Sequence, residues 1–435
     1  MSVVKYDSND PSSGITINNY NQQNEPLLFS RRLEELLQKR NRKRLVLYFC
    51  IGFVLSAVLA IVAYGLTLGV FELFGFVSEF GSNDQCSKRV IGYQWLSLPY
   101  NLTDSQLSKL THLVFDEARV DENGSIYFSH SAKQENFIEI NRRARSFGVK
   151  TLISISIRPE SLDESESRRE LIDSILKFTH DNPLDGVEID SIELSREHLP
   201  NLLELLRELR QKLQILNNIE FIISLSIVRS KTYFVSKGLL KYVDFVNIKT
   251  NSYYAPYFSY GSELIGPPTP LYGNHDSSTK GNLNQHMKLH SCISGTPSKL
   301  NIMLAFRGHY WKNVIPPRNS SDTLWMTAEI KNETAEGKQI SWKDLKNSKV
   351  WDISKSSWNH ESKTPYIWNP ENRTYLAFEN ERSIKEKMKY AMSENFGGVS
   401  IYLLPEDDDE DSLLNIVSSE QWCSSKVSDE VKYDC

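Results

Sequence analysis

The sequence predicts an α/β protein built as a (β/α)8 TIM barrel, preceded by a single transmembrane helix. Eight short, nearly continuous apolar runs alternate with amphipathic stretches, a pattern typical of parallel strands that helices bury on both faces. Residues 45–71 contain no charged side chain and exceed the roughly 20 apolar residues that span a bilayer. A doubly wound open sheet stays the alternative to the barrel, because a strand count does not show closure.

The N-terminal part predicts a type II membrane topology. Residues 1–44 form a tail whose first 30 residues are rich in Asn, Ser and Gln, which favours disorder, and whose end, Lys39–Arg44, is basic. This charge before the apolar segment 45–71 places the N-terminus in the cytosol and the C-terminal part in the lumen or outside the cell. Residues 72–87 form a short stalk. A buried core helix, and cleavage that sheds a soluble product, are the alternatives for the segment.

Two further features agree with an oxidising, glycosylating compartment. The Asn-x-Ser/Thr acceptors all follow the apolar segment and are Asn101, Asn123, Asn319, Asn332 and Asn372. Four cysteines also follow it, namely Cys86, Cys292, Cys423 and Cys435. Their even number suits two disulfides, with three possible connectivities.

Residues 88–405 contain the predicted barrel. The strand runs are Arg89–Leu96, Thr111–Asp116, Val149–Ile157, Leu184–Ile192, Ile219–Ile227, Val243–Thr250, Leu300–Arg307 and Gly397–Leu404. The amphipathic stretches include Lys133–Phe147, Ser165–His180 and Arg196–Leu213, whose apolar residues recur at helical spacing. After the seventh strand, a region at about 309–380, rich in Trp, Tyr, Asn and Lys, predicts a small α+β insertion. Residues 406–435 form an acidic loop and a cysteine-containing tail, and we expect the acidic run 406–411 to be solvated rather than a calcium site.

The fourth run carries the residues that point to chemistry. Side chains on a strand alternate between its faces, so Glu188, Asp190 and Ile192 project to one side and Glu193 to the other. We expect the acidic side to face a cavity. The third position on that side is apolar.

This run resembles the Asp-Gly-x-Asp-x-Asp-x-Glu signature of family 18 glycoside hydrolases, the chitinases and chitinase-like lectins. Asp185, Glu188, Asp190 and Ile192 stand in its four acidic positions. Other elements match the family in order and spacing: Gly92-Tyr93, Phe306-x-Gly308 with Trp311, Trp351-Asp352 or Trp358-Asn359 before Pro365-Tyr366, Ser383-Ile384 and Gly397-Gly398-Val399. The likeness covers nearly all of residues 88–405, and the type that it resembles is the membrane-anchored chitinase-like proteins of nematodes.

The resemblance implies substrate-assisted hydrolysis, in which the final Glu protonates the glycosidic oxygen and the Asp before it holds the acetamido group. Ile192 cannot donate a proton. Other positions depart from the family as well: Ser154–Ile157 replaces Ser-x-Gly-Gly, Lys249–Ser252 replaces Met-x-Tyr-Asp, His309 replaces an Arg, and Tyr402 replaces a Trp. We therefore expect a catalytically inactive protein that binds chitin or other N-acetylglucosamine oligomers.

Two alternatives stay open. A β-bulge after Asp190 would turn Glu193 into the cavity and permit an active chitinase. A closed groove would instead leave a surface protein that binds a protein partner. The candidate ligand contacts are Tyr93, Asp190, Trp311 and Tyr402, since aromatic planes suit sugar rings, although aromatic side chains there are also consistent with barrel packing.

Other classes of partner have no signal in the sequence. The formal net charge of −5 gives no reason to expect nucleic acid, and no motif predicts a cofactor. His286 and His290 are four residues apart on a predicted helix, but no acidic or cysteine partner accompanies them, so we interpret them as surface residues and predict no metal site.

Overall fold

The structure, a computed structural model, describes residues 86–97, 102–121, 124–128, 134–258, 260–273, 281–316 and 325–435. The predicted tail, the transmembrane segment and nearly all of the stalk lie outside these residues, as do Asn101, Asn123 and Asn319. Within the described ranges, no helix combines the length and apolar character that crossing a bilayer requires.

Eight parallel strands form the closed barrel. The strands up to the insertion are β1 (Arg89–Trp95), β2 (His112–Val120), β3 (Ile126–Phe128), β4 (Lys150–Ser156), β5 (Gly186–Asp190), β6 (Ile222–Val228), β7 (Phe245–Lys249) and β8 (Leu300–Leu304). The last barrel strand, β18 (Gly398–Ile401), pairs with both β8 and β1, and β1 pairs with β2. The sheet therefore closes on itself and the predicted barrel is confirmed, while β3 only extends the end of β2 as an antiparallel strand.

Helices surround the barrel. They are α1 (Asp104–Ser108), α2 (Gln134–Ser146), α3 (Glu160–Asp163), α4 (Ser165–Asp181), α5 (Leu199–Ile215), α6 (Lys237–Leu240), α7 (Leu283–Ser294), α8 (Trp342–Lys346), α9 (Glu381–Ser393), α10 (Leu414–Val417) and α11 (Glu420–Cys423). Short 3-10 turns cover Arg196–His198, Thr232–Val235, Pro297–Lys299, Ile353–Lys355 and Leu404–Glu406. Their ends have local causes: Asn282 caps the start of α7 through its side chain, and Gly295 ends it at a φ of 62°, a conformation that glycine adopts without steric cost.

Strand parity separates the barrel interior from the surrounding core. On β5, Val187 and Ile189 point outward and join the core cluster that includes Leu205 of α5. Glu188 and Asp190, on the opposite side, point into the barrel. Each fully buried aliphatic side chain stabilises the fold by roughly 1.5–3 kcal/mol, so this pattern holds the register of β5 and with it the direction of both carboxylates.

The insertion between β8 and β18 forms its own antiparallel sheet. Its strands are β9 (Arg307–Trp311), β10 (Val314–Ile315), β11 (Thr327–Ala328), β12 (Ile330–Lys331), β13 (Thr334–Ala335), β14 (Gly337–Ser341), β15 (Ser357–Asn359), β16 (Thr364–Asn369) and β17 (Thr374–Phe378). Five of them pair in the order β14-β9-β17-β16-β15. Arg307 joins this sheet to the barrel, since its guanidinium donates to the Glu406 carboxylate at 2.6 Å and to the Tyr402 carbonyl oxygen at 3.0 Å.

Two disulfides attach the C-terminal tail to the barrel. The structure pairs Cys86 with Cys423 and Cys292 with Cys435. The first bridge joins the segment before β1 to α11, and the second joins α7 to the last residue. Since three connectivities were possible from the sequence, only the folded arrangement selects this one.

The acidic run 406–411 after β18 is mostly buried, so its expected solvation holds for Asp409 and Glu410 and is wrong for the other four residues. Glu406, Asp407, Asp408 and Asp411 are each at most 9% exposed. For Asp408 the insertion supplies donors: the Trp342 indole N–H lies 3.0 Å and the Lys346 ammonium 2.8 Å from its carboxylate.

The expected exposure of the two histidines is also wrong for His290. Its side chain is fully buried, and its Nε2 lies 2.8 Å from the Arg229 carbonyl oxygen. This contact satisfies Nε2, and among the described residues no group of three or more His, Cys, Asp or Glu side chains is placed to hold a metal ion.

Candidate functional site

A cavity of about 180 Å³ opens at the carboxyl ends of the barrel strands. We call it the barrel cavity. Its wall includes Tyr93 of β1, Asp116 of β2, Glu188 and Asp190 of β5, Lys249 of β7 and Tyr402 after β18. Active sites of this fold lie at that end, because the loops after the strands converge there.

Glu188 forms the buried floor of the cavity. The Tyr93 hydroxyl lies 2.8 Å from both of its carboxylate oxygens, and the Asn247 amide nitrogen donates to it at 2.6 Å. The side chain is fully buried, and burial raises the pKa of Glu188 to about 7, an effect that these hydrogen bonds oppose. The pKa of Tyr93 is also raised well above its usual value, by burial and by the neighbouring Glu188 charge.

Asp190 is paired with a cation of the same chain. The Lys249 ammonium lies 2.6 Å from its Oδ2, and the two side chains are 24% and 15% exposed for Lys249 and Asp190. The remaining oxygen, Oδ1, accepts a hydrogen bond from the Ile192 backbone N–H at 3.1 Å. Both oxygens of Asp190 therefore have partners within the protein.

Ile192 lies beyond the strand. The strand β5 ends at Asp190, and residues 192–193 form a turn in which the Ile192 side chain is 51% exposed. Lys231 holds this turn, because its ammonium donates to the carbonyl oxygens of Ser191 at 3.1 Å and Ile192 at 2.8 Å. The position that the family pattern assigns to the acid is thus a hydrocarbon at the rim of the barrel.

Glu193 lies in a different depression. Together with Arg158, Glu160 and Glu170 it lines a surface pocket near the loop after β4. The pairing of β5 with β4 and β6 is continuous from Gly186 to Asp190, without an inserted residue. β5 ends at Asp190 and residues 192–193 form a turn, so no strand pairing continues into the stretch after Asp190 where the bulge was expected.

Asp185 sits at the opposite end of the barrel. Its carboxylate accepts hydrogen bonds from the Arg145 guanidinium at 2.9 Å and from the Thr151 backbone N–H at 3.0 Å. This residue connects strands and the helix α2 at the amino end of β5. Its contacts are structural.

Two of the three aromatic candidates line the cavity. The rings of Tyr93 and Tyr402 lie 5.6 Å apart with a tilt of 58°. Burial, followed by the neighbouring Asp116, raises the pKa of Tyr402. Trp311 requires a correction: it is 0% exposed and donates its indole N–H to the Ser262 carbonyl oxygen in the segment between β7 and α7, because β9 turns that face toward the core that this segment forms with the insertion.

The polar cavity residues Asp116, Ser226 and Lys249 were missed as candidates, and so was Asn247, which donates to Glu188 from below the cavity. A signal for two of them was present, since Asn247 and Lys249 are polar at alternate positions of an otherwise apolar run, just as Glu188 and Asp190 are. In the closed barrel such alternating polar residues share the interior. The alternation of polar and apolar residues is a weaker guide at Asp116, because the pairing of β2 with β4 shifts register between Phe115 and Ala118.

The polar groups around the cavity are chemically suited to binding. They include phenol hydroxyls, carboxylates, an ammonium and a serine hydroxyl, Ser226, around one small space. Such convergent donors and acceptors, together with two aromatic rings, suit a hydroxylated ligand.

Comparisons with other proteins agree with this architecture. The Drosophila melanogaster chitinase-like protein Idgf4 is 22% identical over 237 residues, and imaginal disk growth factor 6 of the same species is 24% identical over 245 residues. Each match covers 50% of this chain and 53% of the relative. Chitinase B of Serratia marcescens is 33% identical over 57 residues, 13% of this chain and 11% of that protein. The chain thus spans about half the length, or less, of these curated relatives.

Solved structures share the fold. The group IV chitinase of Ostrinia furnacalis in complex with allosamidin has a TM-score of 0.64 at 18% identity, covering 76% of this chain and 97% of that one. A mutant of the class V chitinase from Nicotiana tobaccum in complex with NAG4 has a TM-score of 0.64 at 16% identity, covering 78% and 99%. At these identities the likeness shows a common fold.

A family model covers most of the chain. The model of glycosyl hydrolases family 18 matches residues 73–407, a range that includes every barrel strand and the insertion. The chain therefore belongs to glycosyl hydrolases family 18.

Proposed function

We propose that this chain is a catalytically inactive, chitinase-like protein that binds N-acetylglucosamine-containing glycans in the barrel cavity. The observation that carries the proposal is the side chain at position 192. A general acid must reach the glycosidic oxygen with a proton, and Ile192 offers only a hydrocarbon, half exposed in a turn. Glu193, the nearest carboxyl in sequence, lines a separate depression.

Retained groups in the cavity support glycan binding. Tyr93 and Tyr402 supply aromatic surface, and Asp116 and Ser226 supply polar atoms. A structural neighbour has been solved with NAG4, and another with allosamidin. The cavity volume of about 180 Å³ lies below the roughly 300–1,000 Å³ of common ligand pockets, so we expect a single sugar ring to enter.

We also propose that residues 45–71 anchor the chain in a membrane, with the barrel in the lumen or outside the cell. The uncharged segment and the basic residues before it support this orientation. The two disulfides suit an oxidising compartment. Protease treatment of intact vesicles should digest the N-terminal tail and spare the barrel. Protection of the tail would contradict this topology.

Binding and hydrolysis are best measured on the same preparation of the full chain. We expect triacetylchitotriose to bind and a fluorogenic chitobioside to stay uncleaved. Tyr402→Ala should weaken binding, whereas Tyr260→Ala, at a residue that is 90% exposed, should leave it unchanged. Hydrolysis that Glu193→Gln abolishes would overturn the proposal in favour of an active chitinase. Absence of binding would overturn it in favour of a protein partner.

A further inference from the structure

A second concave surface lies on the insertion, away from the barrel cavity. We call it the outer groove; its volume is about 540 Å³. Its apolar wall contains Tyr310, Ile340, Val350, Trp351 and Ile367. The rings of Tyr310 and Trp351 lie 5.9 Å apart, and Val350 is 83% exposed.

The parity of β9 explains why an aromatic residue faces this groove. Trp311, the next residue, turns to the opposite side and is buried in the core that the insertion forms with the segment after β7, so Tyr310 faces outward. Trp351 extends the same surface from the loop after α8. The outcome is an aromatic platform, and exposed apolar surface of this kind marks a binding site.

One lip of the outer groove carries a glycosylation acceptor. Asn372 and Thr374, the first and third residues of Asn372-Arg373-Thr374, both line it. Asn372 is exposed in the turn between β16 and β17, and its backbone N–H donates to the Asn369 side-chain oxygen at 3.0 Å.

The turn that carries the acceptor is held in place. Arg373 adopts a left-handed φ of 51°, and its guanidinium donates to the Val314 carbonyl oxygen at 2.9 Å and pairs with the Glu329 carboxylate at 2.5 Å. Asn372 is therefore presented at the lip by a fixed backbone.

We propose that Asn372 is N-glycosylated and that its own glycan occupies the outer groove, with the first sugar rings over Trp351 and Val350. In the modification, the Asn372 side-chain nitrogen bonds to the anomeric carbon of a lipid-linked oligosaccharide diphosphate. That nitrogen loses one proton, and the lipid diphosphate leaves with the electron pair of the broken C–O bond. The two disulfides agree with the oxidising compartment in which such donors act.

The chemistry of the groove fits this occupant. The apolar face of an N-acetylglucosamine ring suits the indole plane, while Asn369, Asp352 and Lys355 on the wall offer partners for hydroxyl and acetamido groups. Covalent attachment at the lip gives the glycan a high effective concentration over the platform. A free glycan or a peptide would bind without this advantage.

Asn332 supplies a matched control in the same chain. It is exposed in the hairpin turn between β12 and β13, and the wall of the outer groove does not include it. The full chain should be produced in eukaryotic cells, and occupancy at both asparagines measured by peptide mass spectrometry. A peptide N-glycosidase should then release the native protein's Asn372 glycan at least about ten-fold more slowly than the Asn332 glycan, the factor that roughly 1.4 kcal/mol of contact gives.

Two substitutions test the platform itself. Trp351→Ala should bring the release rate at Asn372 close to that at Asn332. Val350→Ser changes a side chain that is already exposed, so it should leave the fold intact and also speed release. Ile330→Ser, near Asn332, should change neither the ratio of the two glycan release rates nor the glycan occupancy of either asparagine.

The proposal is overturned if Asn372 is unmodified, if both glycans are released equally fast in the unsubstituted protein, or if neither platform substitution removes the difference. Binding of triacetylchitotriose serves as a separate readout. It depends on the barrel cavity and should be equal in all these variants.

Discussion

The Lys249 ammonium lies 2.6 Å from the Asp190 carboxylate, between the carboxyl ends of β7 and β5. In the family pattern, the aspartate at this position holds the acetamido group of the sugar. Here the Lys249 ammonium already pairs with one carboxylate oxygen of Asp190. The Ile192 backbone N–H donates to the other oxygen. The cavity has therefore changed in its electrostatics as well as at position 192.

Replacement of Lys249 by methionine restores the residue of the family pattern and removes the cation. Because the carboxylate is left unpaired in a partly buried site, we expect the free energy of unfolding to fall by about 1–2 kcal/mol. With Asp190 free to accept from a sugar, triacetylchitotriose should bind more tightly. Urea unfolding and calorimetric titration measure the two effects.

The matched control is Lys355→Met, which breaks an exposed pair with Asp352 whose side chains are 80% and 54% exposed. It should have the smaller effect on stability and none on binding in the barrel cavity. Equal effects of both substitutions would show that the Lys249–Asp190 pair behaves as an ordinary surface contact.

Introducing a carboxyl at position 192 should not restore hydrolysis. In Ile192→Glu the new side chain would extend from a turn pinned by Lys231, and Asp190 would still be paired with Lys249. We expect cleavage of a fluorogenic chitobioside to stay at the level of Ile192→Gln. A rate clearly above that control would show that the acid alone was missing.

Glu188 should make stability depend on pH. Burial raises its pKa to about 7 from the ordinary value of 4.5, so between these pH values the folded protein holds a proton that the unfolded chain has lost. Its contribution is therefore fully present below pH 4.5 and is lost as pH rises through 7, by up to roughly 3 kcal/mol.

Glu188→Gln isolates this contribution, because Glu406 and Asp407 also have raised pKa values and titrate in both proteins. Unfolding by urea at pH 5 and pH 8 should show a smaller loss of stability in the variant than in the unsubstituted chain. Parallel pH profiles would indicate that Glu188 does not titrate in this window.

The bridge between Cys86 and Cys423 closes a segment of 337 residues. Replacing both cysteines by serine should lower the free energy of unfolding by about 3 kcal/mol, mainly because the unfolded chain gains freedom. The same change at Cys292 and Cys435, which are 143 residues apart, should cost somewhat less. Thermal unfolding compares the two, and an unchanged midpoint in the first variant would contradict the expectation.

Much of the barrel was predictable because its signals are local. The eight apolar runs reflect strands buried on both faces, and each predicted run overlaps an observed strand. The alternation of Glu188 and Asp190 with Val187 and Ile189 follows from the geometry of one strand. Boundaries were less certain: β5 ends at Asp190, two residues before the apolar run does, because Lys231 and the turn compete with strand pairing there.

By itself, the sequence determined eight buried strands alternating with helices, the two carboxylates that share one face of β5 and the hydrocarbon at the position of the acid. The tertiary structure alone decided that the sheet closes into a barrel, that Lys249, 59 residues away in sequence, pairs with Asp190, that Trp311 is buried, and which cysteines pair. The physical reason is the sequence separation of the residues that interact. The periodicity of apolar residues depends on near neighbours in the sequence, whereas these pairings form only when barrel closure and the insertion bring distant segments together.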